Sequence, residues 1–249
     1  MAASGARLRH EEDSAFVLHS YPYSETSLIV EMLTRNHGRI GLVAKGAKRP
    51  RSALRGVLLA FQPLMISWFG KSELRTLGRA EWHKALPQLA GTGLMCAFYM
   101  NELLLKLTRR DDAHENLFDF YAETMALLRT DKNAGSEASR YGPLLRRFEL
   151  RLLKELGYAV SLDHDAQTGE PIVSSQRYEY LVERGPVRAM PDADRFQLRG
   201  QTLLDLAGED YTDPITLQEA KQLMRQLINY HLGGQTLHTR QLIRDLREI

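Results

Sequence analysis

Short hydrophobic stretches that alternate with polar positions predict β-strands in the first third of the chain. Ile40, Leu42 and Ala44, for example, recur at the two-residue period of a strand with one buried face. Turn residues such as Asn36 and Gly38 separate these stretches. The predicted strands span residues 15–21, 26–33, 39–45, 64–69 and 73–82. Short strands at such close spacing are typical of a small barrel or a sandwich.

The hydrophobic period of the remaining chain is mostly that of an α-helix. In the clearest case Leu145, Phe148, Leu152 and Leu156 recur at steps of three and four residues. The predicted helices span residues 94–109, 117–128, 144–156, 216–232 and 239–246. Residues 160–199 contain several Asp, Gly and Pro residues, so we expect them to be irregular, with short strand-like runs near 178–182.

The composition is that of an ordinary globular protein, since 43% of the 249 residues are hydrophobic and 26% are charged. Cys96 is the single cysteine, which excludes an intrachain disulfide and a cysteine-rich zinc site. The longest uncharged stretch, residues 85–101, contains Pro and Gly and falls short of the roughly 20 apolar residues of a membrane helix. Charged residues stand where a signal peptide would be apolar. We therefore expect a cytoplasmic protein with no membrane contact.

Positive charge is concentrated in one part of the chain, although the net charge is only +2. Residues 38–79 contain nine basic residues and a single acidic residue, Glu73. Such a cluster is typical of a protein that binds a polyanion, and the alternative is a solvated surface or a disordered loop. The candidate nucleic-acid-binding residues are Arg39, Lys45, Lys48, Arg49, Arg51, Arg55, Lys71, Arg75 and Trp68. For Trp68, stacking on unpaired bases and packing in the core are both open.

The sequence contains no motif for catalysis or nucleotide binding. It lacks the G-x-S-x-G, H-E-x-x-H and Walker A patterns. The eight histidines are scattered without the spacing of metal ligands. We therefore expect neither catalytic residues nor a bound cofactor or metal, and so not an enzyme. A nuclease whose carboxylates come from separate elements remains an alternative.

Several segments match one protein family, in the family's order. They are AFVLHSYPYSETS from residue 15, GRIGLVAKGAKRPRS from residue 38, FQPL from residue 61, YMNELL from residue 99, LRRFELRLLKELGY from residue 145 and YHLGGQTLHTRQL from residue 230. With these segments the chain resembles the RecO family of bacterial DNA repair and recombination proteins, from residue 14 or so to its C-terminus.

The resemblance implies an α+β fold, in which an N-terminal OB-fold β-barrel is followed by a mainly helical domain with a small irregular insert. The expected organisation is a disordered tail (1–13), because the first residues are small, polar and charged, then the barrel (14–82) and the helical domain (83–249) with its insert at about 160–199. Many family members carry a four-cysteine zinc module that begins C-x-x-C-G. Residues 165–169 stand in its place without a cysteine, so the chain looks like a member of the zinc-free branch.

The resemblance also implies a non-enzymatic mediator of recombination. Family members bind single- and double-stranded DNA, anneal complementary strands and, with RecR, help load RecA on strands coated by single-stranded DNA-binding protein. The implied partners are DNA, RecR and the C-terminal tail of single-stranded DNA-binding protein. We expect a monomer when the protein is alone, located in the bacterial cytoplasm at the nucleoid. An RNA- or ribosome-associated OB-fold module is the alternative.

The helix predicted over residues 144–156 offers a candidate site for that acidic, hydrophobic tail. Such a tail needs an apolar pocket with a cation at its edge for the terminal carboxylate. The candidate residues are Arg146, Phe148, Leu152 and Leu156. The alternative is that the hydrophobic stripe is wholly core and that Arg146 is merely solvated.

Overall fold

The computed structural model describes residues 9–129, 137–158, 160–190 and 195–247. The chain divides into two compact units, residues 1–130 together with 239–249, and residues 131–238. The first unit is larger than the barrel expected over residues 14–82, because it includes the helices that follow the barrel. None of the helices in the described ranges combines the length and the hydrophobicity of a membrane-spanning segment.

The described strands of the first unit form a closed, five-stranded barrel. They are β1 (Arg9–Pro22), β2 (Leu28–Thr34), β3 (Gly38–Ala44), β4 (Leu64–Phe69) and β5 (Leu74–Trp82). Their order is β1-β2-β3-β5-β4, and the barrel closes by pairing β4 with β1. Strands β3 and β5 are parallel, and a short helix, α1 (Ala53–Val57), lies between β3 and β4. This topology confirms the expected α+β fold with an OB-like barrel.

The barrel core is built from alternate residues of β1 to β4, with Leu77 from β5, because neighbouring residues in a strand point to opposite faces. The buried cluster consists of Ala15, Val17, Val30, Met32, Ile40, Leu42, Ala44, Ala47, Leu64, Ile66, Trp68 and Leu77. The alternation that predicts the strands therefore also predicts most of the core.

Strand β1 begins earlier than expected, so residues 9–13 belong to the barrel and not to a disordered tail. Asp13 is buried, and its carboxylate accepts a hydrogen bond from the Asn36 side-chain amide at 2.9 Å. Its other oxygen lies 2.8 Å from Nδ1 of His37. These bonds fasten the start of the strand to the β2–β3 turn. Residues 1–8, where the rest of the tail was expected, lie outside the described residues.

Two helices, α2 (Gly91–Leu107) and α3 (Glu115–Leu127), cover the outer face of β1. Asn101 of α2 is buried and donates its side-chain amide to the Leu18 carbonyl at 2.9 Å. The Tyr121 hydroxyl of α3 donates to Oδ1 of Asn101 at 2.7 Å. The Tyr121 ring also lies 5.1 Å from that of Phe16. The hydrogen bonds through Asn101 and the contact between the Tyr121 and Phe16 rings thus join both helices to β1.

The second unit combines helices with a small sheet. Its helices are α4 (Glu137–Glu155), α5 (Gly200–Ala207) and α6 (Pro214–His231), and a last helix, α7 (His238–Arg247), follows it. Gly157 follows α4 with φ of +78°, and the Asp213 carboxylate accepts the Ile215 N–H at 2.9 Å at the start of α6. Both are typical helix-end signals, a left-handed glycine and an N-cap aspartate before proline.

The region expected to be irregular, residues 160–199, contains a three-stranded antiparallel sheet. Its strands are β6 (Arg177–Leu181), β7 (Gly185–Arg188) and β8 (Gln197–Arg199), in the order β7-β6-β8. They are three to five residues long. The strand-like run expected near 178–182 is confirmed as β6. Strands β7 and β8 give only one or two alternations, which explains why the sequence pattern did not reveal them.

Asp165 anchors the turn that precedes this sheet. Its carboxylate is buried and accepts the N–H groups of Gln167 at 2.8 Å and Thr168 at 3.1 Å through Oδ1. Its Oδ2 accepts the N–H of Arg188, the last residue of β7, at 2.9 Å. Burial raises the pKa of this carboxyl, but the three amide hydrogen bonds outweigh burial and hold the pKa below its ordinary value.

The turn at residues 165–169 does not fit a zinc site. It contains no cysteine. Within the described ranges, no group of three or more His, Cys, Asp or Glu side chains is placed to hold a metal ion. The Asp165 carboxylate, with its backbone donors, joins this turn to β7.

Candidate nucleic-acid interface

The segment from Lys45 to Arg55, hereafter the basic segment, follows directly from β3 and is fixed to the barrel. Gly46 adopts φ of +71°, a left-handed conformation that favours glycine, and turns the chain at the end of the strand. The next residue, Ala47, is buried in the barrel core. The Lys48 N–H then donates to the Thr26 carbonyl at 2.9 Å. The segment is therefore an anchored turn and not a loose loop.

The cations of the basic segment point to solvent. They are Lys45, Lys48, Arg49, Arg51 and Arg55, all exposed. The segment itself contains no acidic residue. The Lys48 Nζ donates to the Ser24 carbonyl at 2.9 Å, which leaves two of its three N–H groups for another acceptor. Lys71, in the turn between β4 and β5, is also exposed. This surface is suited to binding phosphate groups.

Arg39 and Arg75, two of the candidate cations, are already used inside the molecule. The guanidinium of Arg39 bonds Glu31 at 2.9 Å and donates to the Thr108 carbonyl at 3.0 Å. That of Arg75 bonds Asp111 at 2.6 Å. Both side chains are largely buried. The expectation of phosphate contacts is corrected for these two residues, because they join the barrel to the connection between α2 and α3.

Glu31 explains why Arg39 turns inward. Its carboxylate is buried and also receives the guanidinium of Arg110, which reaches Glu73 at 2.6 Å through its other nitrogen. The hydrogen bond to Glu31 raises the pKa of the Arg110 guanidinium. A buried carboxylate needs such partners, because an unpaired charge in a protein interior is strongly destabilising.

Trp68 is also corrected as a candidate, because it is wholly buried. It lies on the inward face of β4 with Leu64 and Ile66, where no base has access to it. Its indole stacks on the His10 ring at 5.0 Å and meets the His37 ring edge-on at 4.9 Å. The structure thus decides between base stacking and core packing in favour of the core.

Exposed aromatic residues lie elsewhere on the barrel, at positions outside the candidate set. Tyr21 at the end of β1 is 45% exposed, and Tyr23 just after it is 56% exposed. Trp82 at the end of β5 is 42% exposed, with its Nε1 donating to the Val57 carbonyl at 3.0 Å. The sequence signal for the tyrosines is weak. They flank Pro22 at a strand end, where the core alternation has already stopped.

The candidate peptide site on α4 is closed in this structure. Phe148 and Leu152 are wholly buried, and only Leu156 is partly exposed. Arg146 is 8% exposed, and its guanidinium bonds the buried Glu149 carboxylate at 2.6 Å. The structure therefore places the stripe in the core and the Arg146 guanidinium in a buried ion pair. Binding of the tail peptide by these residues stays a prediction.

Comparison with known proteins reveals relatives over almost the whole chain. The family model described as "Recombination protein O N terminal" matches residues 8–86, and that described as "Recombination protein O C terminal" matches residues 88–241. The DNA repair protein RecO of Nitrosospira multiformis is 53% identical over 243 residues, which cover 97% of this chain and 98% of the relative. The DNA repair protein RecO of Aromatoleum aromaticum is 49% identical over 242 residues, with coverage of 97% and 98%.

Proposed function

Because this chain belongs to the RecO family, whose relatives are named DNA repair proteins, we propose that it serves DNA repair by binding DNA through the basic segment of its barrel. The observation that carries this proposal is the set of exposed cations at 45–55, on a backbone held in place by the buried Ala47. A fixed cluster of positive charge binds phosphates at lower entropic cost than a mobile one.

The proposed mechanism is electrostatic. Lysine and arginine side chains on the basic segment neutralise phosphates and release the counterions that surround a nucleic acid. This contribution depends on the backbone and not on the sequence of the bases, so both single strands and duplexes bind. Neutralisation also lowers the repulsion between two complementary strands, which favours their annealing.

The further steps of mediation are part of the same proposal. The protein acts with RecR to help load RecA on strands coated by single-stranded DNA-binding protein, and it performs no catalysis itself. Family membership supports these partners. Cleavage of a labelled oligonucleotide in the presence of Mg²⁺ would favour a nuclease instead, and a salt-resistant preference for structured RNA would favour an RNA-binding module.

The test reverses three charges of the basic segment, Lys48→Glu, Arg49→Glu and Arg51→Glu, in one variant. Binding of a labelled single strand is measured at several salt concentrations. We expect the affinity to fall by more than about tenfold and the salt dependence to become shallower by about 0.7 for each lost phosphate contact. The matched control reverses Arg184, Lys221 and Arg225, which are exposed in the second unit. If the first variant binds as the wild type does, the basic segment is only a solvated surface.

A further inference from the structure

The loop that joins β1 to β2, residues 21–27, presents two tyrosine rings to solvent. We call it the tyrosine loop. Tyr21 and Tyr23 are each about half exposed, at 45% and 56%. The loop is closed on itself, because the N–H of Tyr23 donates to the Ser27 carbonyl at 3.1 Å. Aromatic rings held at the surface, rather than in the core, offer flat apolar faces to a partner.

The two tyrosines lie on either side of the end of a strand. Tyr21 is the last residue but one of β1, and Tyr23 is the first residue after it. The His19 ring packs against the Tyr21 ring, with 4.4 Å between centroids and the ring planes 62° apart. A single exposed ring is enough to stack on one unpaired base. Pro22 restricts the backbone between the two rings.

The tyrosine loop is bonded to the basic segment at three points. The Lys48 N–H donates to the Thr26 carbonyl and its Nζ to the Ser24 carbonyl, both at 2.9 Å. The Gly46 N–H donates to Oγ of Ser27 at 3.4 Å. The exposed rings therefore stand beside exposed cations in a fixed arrangement. Aromatic faces next to a positively charged track are the combination that binds single-stranded nucleic acid.

We propose that the tyrosine loop is the subsite for unpaired nucleobases, in which Tyr21 and Tyr23 stack on bases while the basic segment holds the flanking phosphates. The proposal rests on the DNA-binding function proposed above. In a duplex the neighbouring bases cover both faces of each base, so a tyrosine ring cannot stack on it. The cations bind either form of DNA, and the tyrosine loop supplies the preference for single strands.

The experiment compares the double variant Tyr21→Ala/Tyr23→Ala with the wild type on three labelled probes of equal length. The probes are an oligothymidylate, an abasic strand with the same phosphates, and a duplex. We expect the variant to lose about tenfold in affinity per ring on the oligothymidylate and to bind the abasic strand and the duplex like the wild type. Its salt dependence should stay unchanged, because no charge is removed.

Two further variants separate stacking from other effects. Tyr21→Phe/Tyr23→Phe should restore binding of the oligothymidylate, because phenylalanine keeps the ring face. Tyr230→Ala removes an equally exposed tyrosine of the second unit and serves as the control. Equal losses on all three probes would show that the loop only supports the basic segment, and that result would overturn the proposal. If the tyrosine double variant loses no affinity on any probe while the charge-reversal variant of the basic segment binds more weakly, the base-stacking proposal is overturned. The proposed DNA-binding function would remain supported by that result.

A measurement on the wild-type protein does not depend on the folding of any variant. A single strand that contains 5-iododeoxyuridine is cross-linked by light, and the modified peptide is identified by mass spectrometry. We expect the adduct on Tyr21 or Tyr23. Adducts confined to other residues, such as Trp82, would contradict the assignment.

Discussion

At the scale of single residues, Asp165 shows how backbone N–H groups hold a buried carboxylate. Its two oxygens accept three N–H groups, from Gln167, Thr168 and Arg188. Hydrogen bonds to a charged group are stronger than those between neutral groups, and three of them offset much of the cost of burial. The same contacts tie a turn to β7, so one side chain helps to order the small sheet.

We expect Asp165→Asn to lower the free energy of unfolding by about 1–3 kcal/mol near neutral pH, because the new amide places an N–H group against backbone donors. The direction of the pKa shift sets the pH dependence. The lowered pKa in the folded state means that Asp165 stabilises the fold above its unfolded pKa of about 3.9. This stabilisation is lost as the pH falls through the folded-state value. Urea unfolding from neutral to acidic pH measures both effects.

The control for Asp165 is Glu170→Gln, which removes an exposed acid from the same region. It should leave the unfolding free energy within about 0.5 kcal/mol of the wild type. The account of Asp165 is wrong if its Asn variant matches the wild type both in stability and in the loss of stability at acidic pH.

For single residues, the sequence predicts burial better than it predicts the interaction partners of a side chain. Trp68 follows the alternation of Leu64 and Ile66 into the core, although the sequence alone leaves stacking on bases open for it. Arg39 has the same charge as the exposed Lys48, but Glu31 and the distant Thr108 carbonyl hold it inside. A partner that lies 69 positions away cannot be inferred from a local pattern.

At the scale of elements, Gly38 fixes how the connection between α2 and α3 crosses the barrel. The residue adopts φ of +67°, and a Cβ built there would lie 1.9 Å from the carbonyl oxygen of Asp112. The next backbone contact is also close, since the Asp111 N–H donates to the Arg39 carbonyl at 2.9 Å. The turn between β2 and β3 and the helical connection therefore lie in direct contact only because residue 38 has no side chain.

We expect Gly38→Ala to destabilise the protein by about 1–3 kcal/mol or more, since it combines a strained backbone with a steric overlap. Urea or thermal unfolding measures the loss. The matched control is Gly56→Ala in α1, where a Cβ would meet nothing within 4 Å, and where alanine favours the helix. A Gly38 variant as stable as the Gly56 variant would show that the connection can move aside freely.

Elements are predicted best where the hydrophobic pattern is long. Strand β4 is found over 64–69 as predicted, and α6 begins at the Asp213-Pro214 signal. Helix α4 begins at Glu137, seven positions before its predicted start, because its first two turns lack the apolar repeat of the rest. The sheet at residues 177–199 is the contrasting case, because its strands are too short for a clear hydrophobic pattern. They depend on tertiary contacts such as those of Asp165.

At the scale of the whole molecule, the net charge of +2 does not reveal that positive charge is concentrated in one region of the chain. The barrel carries nine basic residues and one acidic residue over positions 38–79. Seven of these cations fall into two groups. Arg39 and Arg75 hold the barrel to the connection between α2 and α3, whereas the five cations of the basic segment face solvent. Of these two groups, the second is the one exposed to a polyanion, and this distinction leads to a test of annealing.

Annealing should depend on the basic segment more than on the tyrosine loop. Two complementary strands repel each other through their phosphates, so the cations that neutralise them must remain bound while the bases pair. Bases stacked on tyrosines must leave the rings before they pair, so stacking raises affinity for the single strands without lowering the barrier to pairing.

We therefore expect the variant with Lys48, Arg49 and Arg51 changed to Glu to anneal at least about tenfold more slowly than the wild type, even when protein is in excess. The Tyr21→Ala/Tyr23→Ala variant should regain the wild-type rate once its concentration saturates the strands. The rate is followed by the quenching of paired dyes on the two oligonucleotides, with the charge reversal of Arg184, Lys221 and Arg225 as the control. If the tyrosine variant stays slow at saturation while the basic-segment variant recovers, base contacts and not phosphate neutralisation limit annealing.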